Sequence, residues 1–376
     1  MNLCNFLIIS FITLSSPQIL FAQTQISLGN DIVEMETAFS PATKTIVAAA
    51  MVRHFGGSSV SIYRSTDMGA TWSYIYSISP NYAPINYPQN TDIPDPVIAA
   101  DSLGNFYIVV MRVGYAPNSS EVFSNLELYR SNNDGLSWQY VNQPNGGAGV
   151  CDYPQLIAKG NGELFLTYSD MDRVIAADTV ATRFIKSADS GSTWIPVSLN
   201  DPLINSNIGP DISFGPDHSI LITAGNRKKA EIIYLKSIDN GDHWTPARTS
   251  VLVNDNLHIT KPVSNPNVPY FGVLSHKPHE TDSPVFFHLI RDSISTSIKI
   301  DDGAYAQGYL SDFGDFHIIY NKKSGNTFTL NYITSRDTGK TFSTPKALYS
   351  GNYTHAQFGE YQSLLLGPDH NLLYHH

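Results

Sequence analysis

The chain has 376 residues, of which 42% are hydrophobic, and a formal net charge of −10. A chain of this length can form one large all-β domain or two ordinary domains. The negative charge argues against binding to nucleic acid or to an anionic membrane surface, because both partners attract basic surfaces. It does not exclude an anionic sugar, which needs only a local group of arginines.

The N-terminal segment has the features of a secretory signal peptide, which we assign to residues 1–22. Its apolar run, residues 6–14, is too short to cross a bilayer, and Ala22 is a suitable last residue before cleavage. We therefore expect residues 23–376 to form a single exported domain, secreted, periplasmic or at the cell surface. Cleavage would leave Cys151 as its one cysteine, so an internal disulfide is not expected.

An eight-residue pattern, Ser-x-Asp-x-Gly-x-Thr-aromatic, recurs along the chain. Its five copies are residues 65–72 (STDMGATW), 131–138 (SNNDGLSW), 187–194 (SADSGSTW), 237–244 (SIDNGDHW) and 335–342 (SRDTGKTF). Repetition of this kind indicates a repeat architecture.

The pattern has the chemistry of a tight hairpin turn. The glycine supplies a positive φ, the Ser and Asp side chains can accept hydrogen bonds from the turn backbone, and the aromatic residue opens the next strand. Asn133 replaces the aspartate in the second copy but keeps an acceptor oxygen, so we expect that turn to form as well. All four tryptophans lie in these copies, which leaves none as a stacking platform for sugars.

Pairs of short apolar strands precede the turns. One pair is residues 96–100 and 106–110, joined by a loop at 101–105. Two such inner strands, a third strand, the Ser-x-Asp turn and a fourth strand make a unit of about fifty residues, which is the blade of a β-propeller. We predict that the inner pairs begin near Met35, Asp95, Tyr153, Pro210, Lys261, Tyr309 and Glu360.

These seven starting points favour an all-β propeller with seven blades. The fifth blade lacks the turn, because residues 286–293 occupy its place without the glycine. The seventh unit ends after its second strand, and residues 24–28 are the candidate outer strand that would complete it, since closure removes an exposed edge. A six-bladed ring with an appended strand pair is the alternative.

The repeated turns resemble the Asp-box (BNR) repeats of sialidases and related propellers, over nearly the whole chain. The resemblance implies a sialidase-like propeller that acts on glycans as an exo-glycosidase of the sialidase or neuraminidase type. Because the same turn occurs in non-enzymatic secreted proteins, the alternative is a non-catalytic propeller that binds glycans or proteins at the cell surface.

Sialidases hold the sugar carboxylate with three arginines, attack with a tyrosine activated by a glutamate, and use an aspartate as acid and base. Residues 360–364 are similar to the context of the family's tyrosine, so the resemblance implies catalytic roles for Tyr361, Glu360 and Asp95. The stretch that matches the family's first arginine, residues 33–38, contains no arginine, and no predicted inner strand begins with one.

Candidate ligand-binding residues follow from the expected topology. The face opposite the Ser-x-Asp turns would carry Arg53, Arg112 and Arg227 after second strands. Acidic residues recur where inner strands begin: Glu36, Asp95, Asp152, Asp211 and Glu360, with Asp312 as a further candidate, and Lys261 takes this place in the fifth blade. Among them we assign Asp152 and Asp211 to substrate binding. These carboxylates either converge on a ligand or accept backbone hydrogen bonds from adjoining loops.

The expected partner is a glycan or glycoconjugate, bound by a monomer without a cofactor. Residues 276–280 (His-Lys-Pro-His-Glu) carry two histidines and a glutamate, but the proline makes them a loop and no third-ligand spacing accompanies them. We therefore predict no metal site.

Overall fold

A computed structural model describes most of the chain in separate ranges. These are residues 4–13, 20–30, 32–54, 57–79, 92–115, 122–147, 150–171, 180–199, 207–226, 231–246, 248–250, 259–277, 283–291, 294–352, 363–366 and 372–375. No helix among them is long and apolar enough to cross a membrane.

Six four-stranded antiparallel sheets form the blades, and each blade follows the chain from its inner to its outer strand. The first three blades are β3(Ile32–Ser40) β4(Thr45–His54) β5(Gly57–Ser65) β6(Ser73–Ile78), β7(Val97–Ala100) β8(Phe106–Tyr115) β9(Val122–Ser131) β10(Gln139–Asn142) and β11(Val150–Lys159) β12(Glu163–Met171) β13(Val180–Ser187) β14(Ile195–Val197). The next three are β15(Asn207–Phe214) β16(Ile220–Asn226) β17(Ile232–Ser237) β18(Arg248–Ser250), β19(Ile259–Val263) β20(Phe271–His276) β21(Pro284–Arg291) β22(Ile294–Asp302) and β23(Ala304–Leu310) β24(Phe316–Ser324) β25(Thr327–Ser335) β26(Lys346–Asn352). Two 3-10 turns, Gly160–Gly162 and Pro216–His218, join inner strands.

The remaining strands form two separate hairpins. They are β1(Cys4–Thr13) with β2(Leu20–Asn30), and β27(Ser363–Leu366) with β28(Leu372–His375). Strand β27 lies next to both β23 and β3, and β1 lies beside β28, so the second hairpin occupies the gap between the sixth and first blades. The favoured count of seven blades is wrong, because this unit is a two-stranded sheet and residues 24–28 pair with β1 instead of completing it. The described strands match the six-bladed alternative with appended strands.

The inner strand of the sixth blade also begins earlier than predicted. It starts at Ala304 and not near Tyr309, so Asp312 lies in the turn after this strand and not at its start. There the Asp312 carboxylate accepts hydrogen bonds from the side-chain amides of Asn265, at 2.9 Å, and Asn267, at 3.1 Å. Asp312 therefore joins two blades on the face of the Ser-x-Asp turns, and its assignment to the opposite face is wrong.

The Ser-x-Asp turns form the predicted network of hydrogen bonds. In the first turn the Ser65 hydroxyl donates to Asp67 at 2.8 Å and accepts from the Gly69 N–H at 2.8 Å. Asp67 Oδ1 also accepts from the Thr71 N–H at 2.8 Å, and Oδ2 accepts from the Thr71 hydroxyl at 2.5 Å. The Trp72 ring N–H donates to the Gly69 carbonyl at 3.0 Å. These local bonds replace ladder partners that the turn removes.

The bonds of the turn serine to the third and fifth residues recur in the other copies. Asn133 accepts from the Ser131 hydroxyl at 2.9 Å and from the Ser137 N–H at 3.0 Å, which confirms that asparagine can replace the aspartate. The fifth blade lacks the turn as predicted: β21 and β22 continue as one hairpin in which Arg291 is opposite Ile294. One feature was not anticipated. The residue before each turn glycine is also left-handed, as at Met68, whose φ is 57°.

The closing aromatic residues fill the spaces between blades. Trp138 is buried in the core shared by the first two blades, Trp194 packs against the core of the second and third, and Trp244 against that of the third and fourth. Phe342 packs against the equivalent core of the fifth and sixth blades. This confirms that the aromatic position of the turn serves packing.

Basic residues just before the turn serine hold each early blade to the next. Arg64 forms an ion pair with Asp134 in the second turn, Arg130 donates to the Ser190 carbonyl at 3.4 Å, and Lys186 binds Asp242 at 2.6 Å. These contacts run from the first blade to the fourth on the turn face. The turn face therefore carries contacts between blades that stabilise the ring.

We expect Gly191→Ala to destabilise the fold by about 2–4 kcal/mol. The φ of Gly191 is +83°, and an added Cβ would lie 2.1 Å from Leu128 Cδ2 of the preceding blade. Gly146→Ala is the matched control, because Gly146 has a φ of +70° and nothing within 4 Å of the added Cβ. Its free energy of unfolding should fall by only about 1 kcal/mol, because alanine is strained in this backbone conformation but meets no steric clash. Urea unfolding measures both, and equal losses would contradict the packing role of Gly191.

Candidate functional site

The inner strands begin on the face opposite the Ser-x-Asp turns, and we call these starting points the axial rim. Four blades share an unusual backbone there. Asp95, Tyr153, Gly209 and Tyr305 are left-handed, with φ between 51° and 60°, and the first three precede a proline. Each lies at an interruption of inner-strand pairing, as between Asp152 and Gln155. Such backbone is costly for aspartate and tyrosine and is found preferentially at functional sites.

Two glutamates of β3 bind the rim of the neighbouring blade. Glu34 Oε2 accepts a hydrogen bond from the backbone N–H of Asp95, and Glu36 Oε2 accepts one from that of Ile98, both at 2.8 Å. Asp152 and Asp211 each accept from the next residue of their own strand, at 3.0 Å and 2.7 Å. These bonds agree with the interpretation in which rim carboxylates satisfy loop backbone.

Lys261 interacts with two of these carboxylates: it forms an ion pair with one and affects the ionisation of the other. Its ammonium lies 2.7 Å from Asp211 Oδ2, and the two side chains are only 12% and 10% exposed. Both Lys261 and Asp211 also influence the ionisation of Glu36. Glu36 belongs to the first blade, Asp211 to the fourth and Lys261 to the fifth, so the group draws on both sides of the ring. We call these three residues the rim triad.

Burial sets the ionisation of the rim triad. Desolvation raises the pKa of Glu36 from 4.5 to about 7, against the opposing effects of Lys261 and the Ile98 N–H, and Asp211 adds to the rise. Desolvation also raises the pKa of Asp211, although Lys261 opposes it. Glu36 nevertheless keeps part of its side chain accessible to solvent. A carboxyl that exchanges a proton near neutral pH and is within reach of solvent can act as a general acid or base.

The predicted arginines are not brought together by the described residues. Arg112 is completely buried and pairs with Glu127 through two bonds of 2.7 Å and 2.8 Å, while the Tyr129 hydroxyl donates to the same carboxylate at 3.0 Å. Arg53 is exposed near the end of β4. Arg227 lies outside the described residues. The substrate-binding role of Arg112 stays a prediction, which its burial does not favour.

The structure describes one of the three predicted catalytic residues. Asp95 is on the axial rim, 7% exposed, with the left-handed backbone described above. Tyr361 and Glu360 lie outside the described residues, so their roles stay predictions. Asp152 is on the rim of the third blade, half-buried.

The histidine loop has a described beginning. His276 ends β20, is 2% exposed, and its ring lies 5.9 Å from that of Tyr305 on the sixth blade. Residues 278–280 lie outside the described ranges. Within those ranges, no three His, Cys, Asp or Glu side chains are grouped so that they could hold a metal ion.

Comparison with known proteins gives likeness in structure alone. No protein-family model and no curated protein matches the sequence. A Hadza microbial sialidase superposes with a TM-score of 0.53 at 14% identity, over 81% of this chain and 68% of its own. The intramolecular trans-sialidase from Ruminococcus gnavus gives 0.52 at 13%, over 88% and 95%. An ulvan lyase bound to its sugar gives 0.56 at 12%, over 85% and 86%.

The chain shares its fold with the sialidase-like β-propellers. At this identity the likeness shows the fold and leaves the chemistry to the residues of the site. The matched structures include sialidases and a polysaccharide lyase on one architecture, so the fold alone does not decide the reaction.

Lys261 was the part of the site that the sequence described least well. It appeared as an exception in a series of acidic residues, and its partner could not be chosen because Asp211 is fifty residues away in the chain. The left-handed rim positions had a local signal that was not used: Asp95-Pro96, Tyr153-Pro154 and Gly209-Pro210 repeat the same step in three blades.

Proposed function

We propose that the protein acts on glycans at the axial rim, with Glu36 as general acid and Asp211 as the second carboxylate. The observation that carries this proposal is the rim triad, in which Lys261 pairs with Asp211 and lowers the pKa of Glu36, a glutamate whose pKa burial nevertheless raises to about 7. Glycoside cleavage commonly uses two carboxyl groups of unequal acidity. The sialidases and the polysaccharide lyase that share this fold support a glycan as the ligand.

In this mechanism the Glu36 carboxyl donates its proton to the departing glycosidic oxygen. The Ile98 N–H engages Oε2, which leaves Oε1 to carry the proton. Asp211 activates a water molecule or stabilises the positive charge that develops on the sugar ring, and Lys261 holds its carboxylate in place. The family resemblance implies a competing assignment, exo-sialidase specificity with Tyr361, Glu360 and Asp95 in the catalytic roles.

A second candidate, a non-catalytic glycan-binding propeller, is favoured by one observation. Glu34, Glu36, Asp152 and Asp211 all accept backbone hydrogen bonds, so their carboxylates also have a structural use. In either case we expect the signal peptide to direct the protein out of the cytoplasm.

Release of fluorophore from a panel of 4-methylumbelliferyl glycosides tests the proposal. We expect Glu36→Gln and Asp211→Asn to lower turnover of the accepted glycoside by a factor of about 10²–10⁴. The control is Asp217→Asn, because Asp217 is 88% exposed on the turn face. Wild-type turnover should fall above pH 7, as Glu36 loses its proton. Unchanged turnover in Glu36→Gln would refute its role, and binding of glycans without turnover would support the second candidate.

A further inference from the structure

We propose that the axial rim takes an uncharged sugar and not an acidic one. The inference rests on the proposed function, since it names the substrate class of the same site. It follows from which charged groups the rim holds, which of them already have partners, and which polar group is left for a ligand.

The described rim residues are mostly acidic. Glu34, Glu36, Asp95, Asp152 and Asp211 are carboxylic acids, and Lys261 is the one cation among the inner-strand starting residues in the described part of the chain. A carboxylate or sulfate on a sugar would meet like charge there. In a site partly screened from water such repulsion lowers affinity strongly.

Three cations of the described blades are engaged. Lys261 is held by Asp211 at 2.7 Å, and Arg112 donates two hydrogen bonds to Glu127. Arg183 at the outer side of this face pairs with Asp170 at 2.8 Å. Recognition of an acidic sugar requires a cation that can turn to the ligand, and Arg53, exposed on a second strand, is the described candidate.

A neutral hydrogen-bonding group provides an independent observation. Asn321 on β24 lies opposite Ala304, next to the left-handed Tyr305 of the rim, and is 1% exposed. Within the described part of the chain neither its Oδ1 nor its Nδ2 has a hydrogen-bond partner. A buried carboxamide without partners is costly and calls for one.

Both features suit a ligand rich in hydroxyl groups. Carboxylates accept hydrogen bonds from sugar hydroxyls without needing a charge on the ligand, and a carboxamide can donate to one hydroxyl and accept from another. Tyr153, half-buried on the same rim, can add ring and hydroxyl contacts.

The test uses the purified mature protein with two matched probe sets. Neutral 4-methylumbelliferyl glucoside, galactoside, mannoside and fucoside are compared with the sialoside and glucuronide, and binding is measured on an array of neutral, sialylated, uronate-containing and sulfated glycans. We expect neutral probes to be preferred by at least about tenfold. Asp152→Asn should raise the acidic-to-neutral ratio about fourfold, and Asp217→Asn on the turn face should leave it unchanged.

The outcomes separate the two proposals. Preference for acidic probes, lost in Arg53→Ala and in Glu36→Gln, would overturn the uncharged-sugar inference and leave the proposed function standing. The protein could also prefer neutral probes while Asp152→Asn leaves the acidic-to-neutral ratio unchanged. That result would contradict the role of rim charge in the preference. Neither binding nor turnover of any probe, by protein shown to be folded by circular dichroism, would overturn both proposals.

Discussion

At pH 8 the Glu36→Gln variant should be more stable than the wild type by about 3 kcal/mol, and this advantage should vanish near pH 4.5. Burial raises the pKa of Glu36 from 4.5 to about 7 in the folded protein. Between these values the folded state holds a proton that the unfolded state has released. Wild-type stability therefore falls as the pH rises through this window, whereas glutamine stays neutral and can still accept the Ile98 N–H bond.

Chemical unfolding at pH 4.5, 6, 7 and 8 measures this difference. Glu163→Gln is the control, since Glu163 begins β12 at the turn end of its blade, away from the axial rim. Parallel stability profiles for the wild type and Glu36→Gln would contradict the raised pKa. A variant that gains stability at pH 8 but loses turnover would show that Glu36 serves catalysis. Replacing a purely structural glutamate would raise stability without lowering activity.

Arg112→Met is expected to lower the free energy of unfolding by about 3–5 kcal/mol. The guanidinium and the Glu127 carboxylate are both 0% exposed, so removing the arginine leaves a buried charge without its counterion. The Tyr129 hydroxyl would remain as its donor. Urea unfolding at neutral pH measures the loss.

Two further variants separate charge burial from loss of packing. Arg112→Met combined with Glu127→Leu should recover most of the loss, because replacing both partners removes the buried charge. Arg183→Ala breaks an ion pair whose arginine is 55% exposed and should change stability by less than about 1 kcal/mol. If the double variant keeps full stability but loses glycan binding, Arg112 contacts the ligand after all and its assignment as a structural residue is wrong.

Local chemistry made most of the fold predictable. Each Ser-x-Asp turn is determined by eight consecutive residues. We could therefore infer its hydrogen bonds, its tolerance for Asn133 and its loss in the fifth blade without knowledge of distant contacts. The number of blades could not. It depends on whether the last two strands recruit partners from the other end of the chain, and residues 24–28, the candidate partner, pair with β1 instead.

The site was predictable only as a collection of residues on one face. The sequence placed Glu36, Asp95, Asp152 and Asp211 at inner-strand starts. In the structure Asp95 lies just before β7 and Asp152 near the start of β11. Glu36 and Asp211 lie further along β3 and β15, because both strands begin earlier than predicted. The sequence could not show that Lys261 pairs with Asp211, or that Glu127 takes up Arg112, because both pairings depend on side-chain directions set by packing. Asp312 was misplaced for a related reason: a strand that starts five residues earlier than predicted moves its acidic residue to the other end of the blade.

The left-handed step at the rim also bears on how such a protein can change over evolution. One backbone shape presents aspartate, tyrosine, glycine and tyrosine at equivalent points of four blades: Asp95, Tyr153, Gly209 and Tyr305. Strand pairing on either side maintains the shape, so residues of different chemistry can occupy its apex. Single substitutions at these positions can therefore change ligand preference without changing the fold.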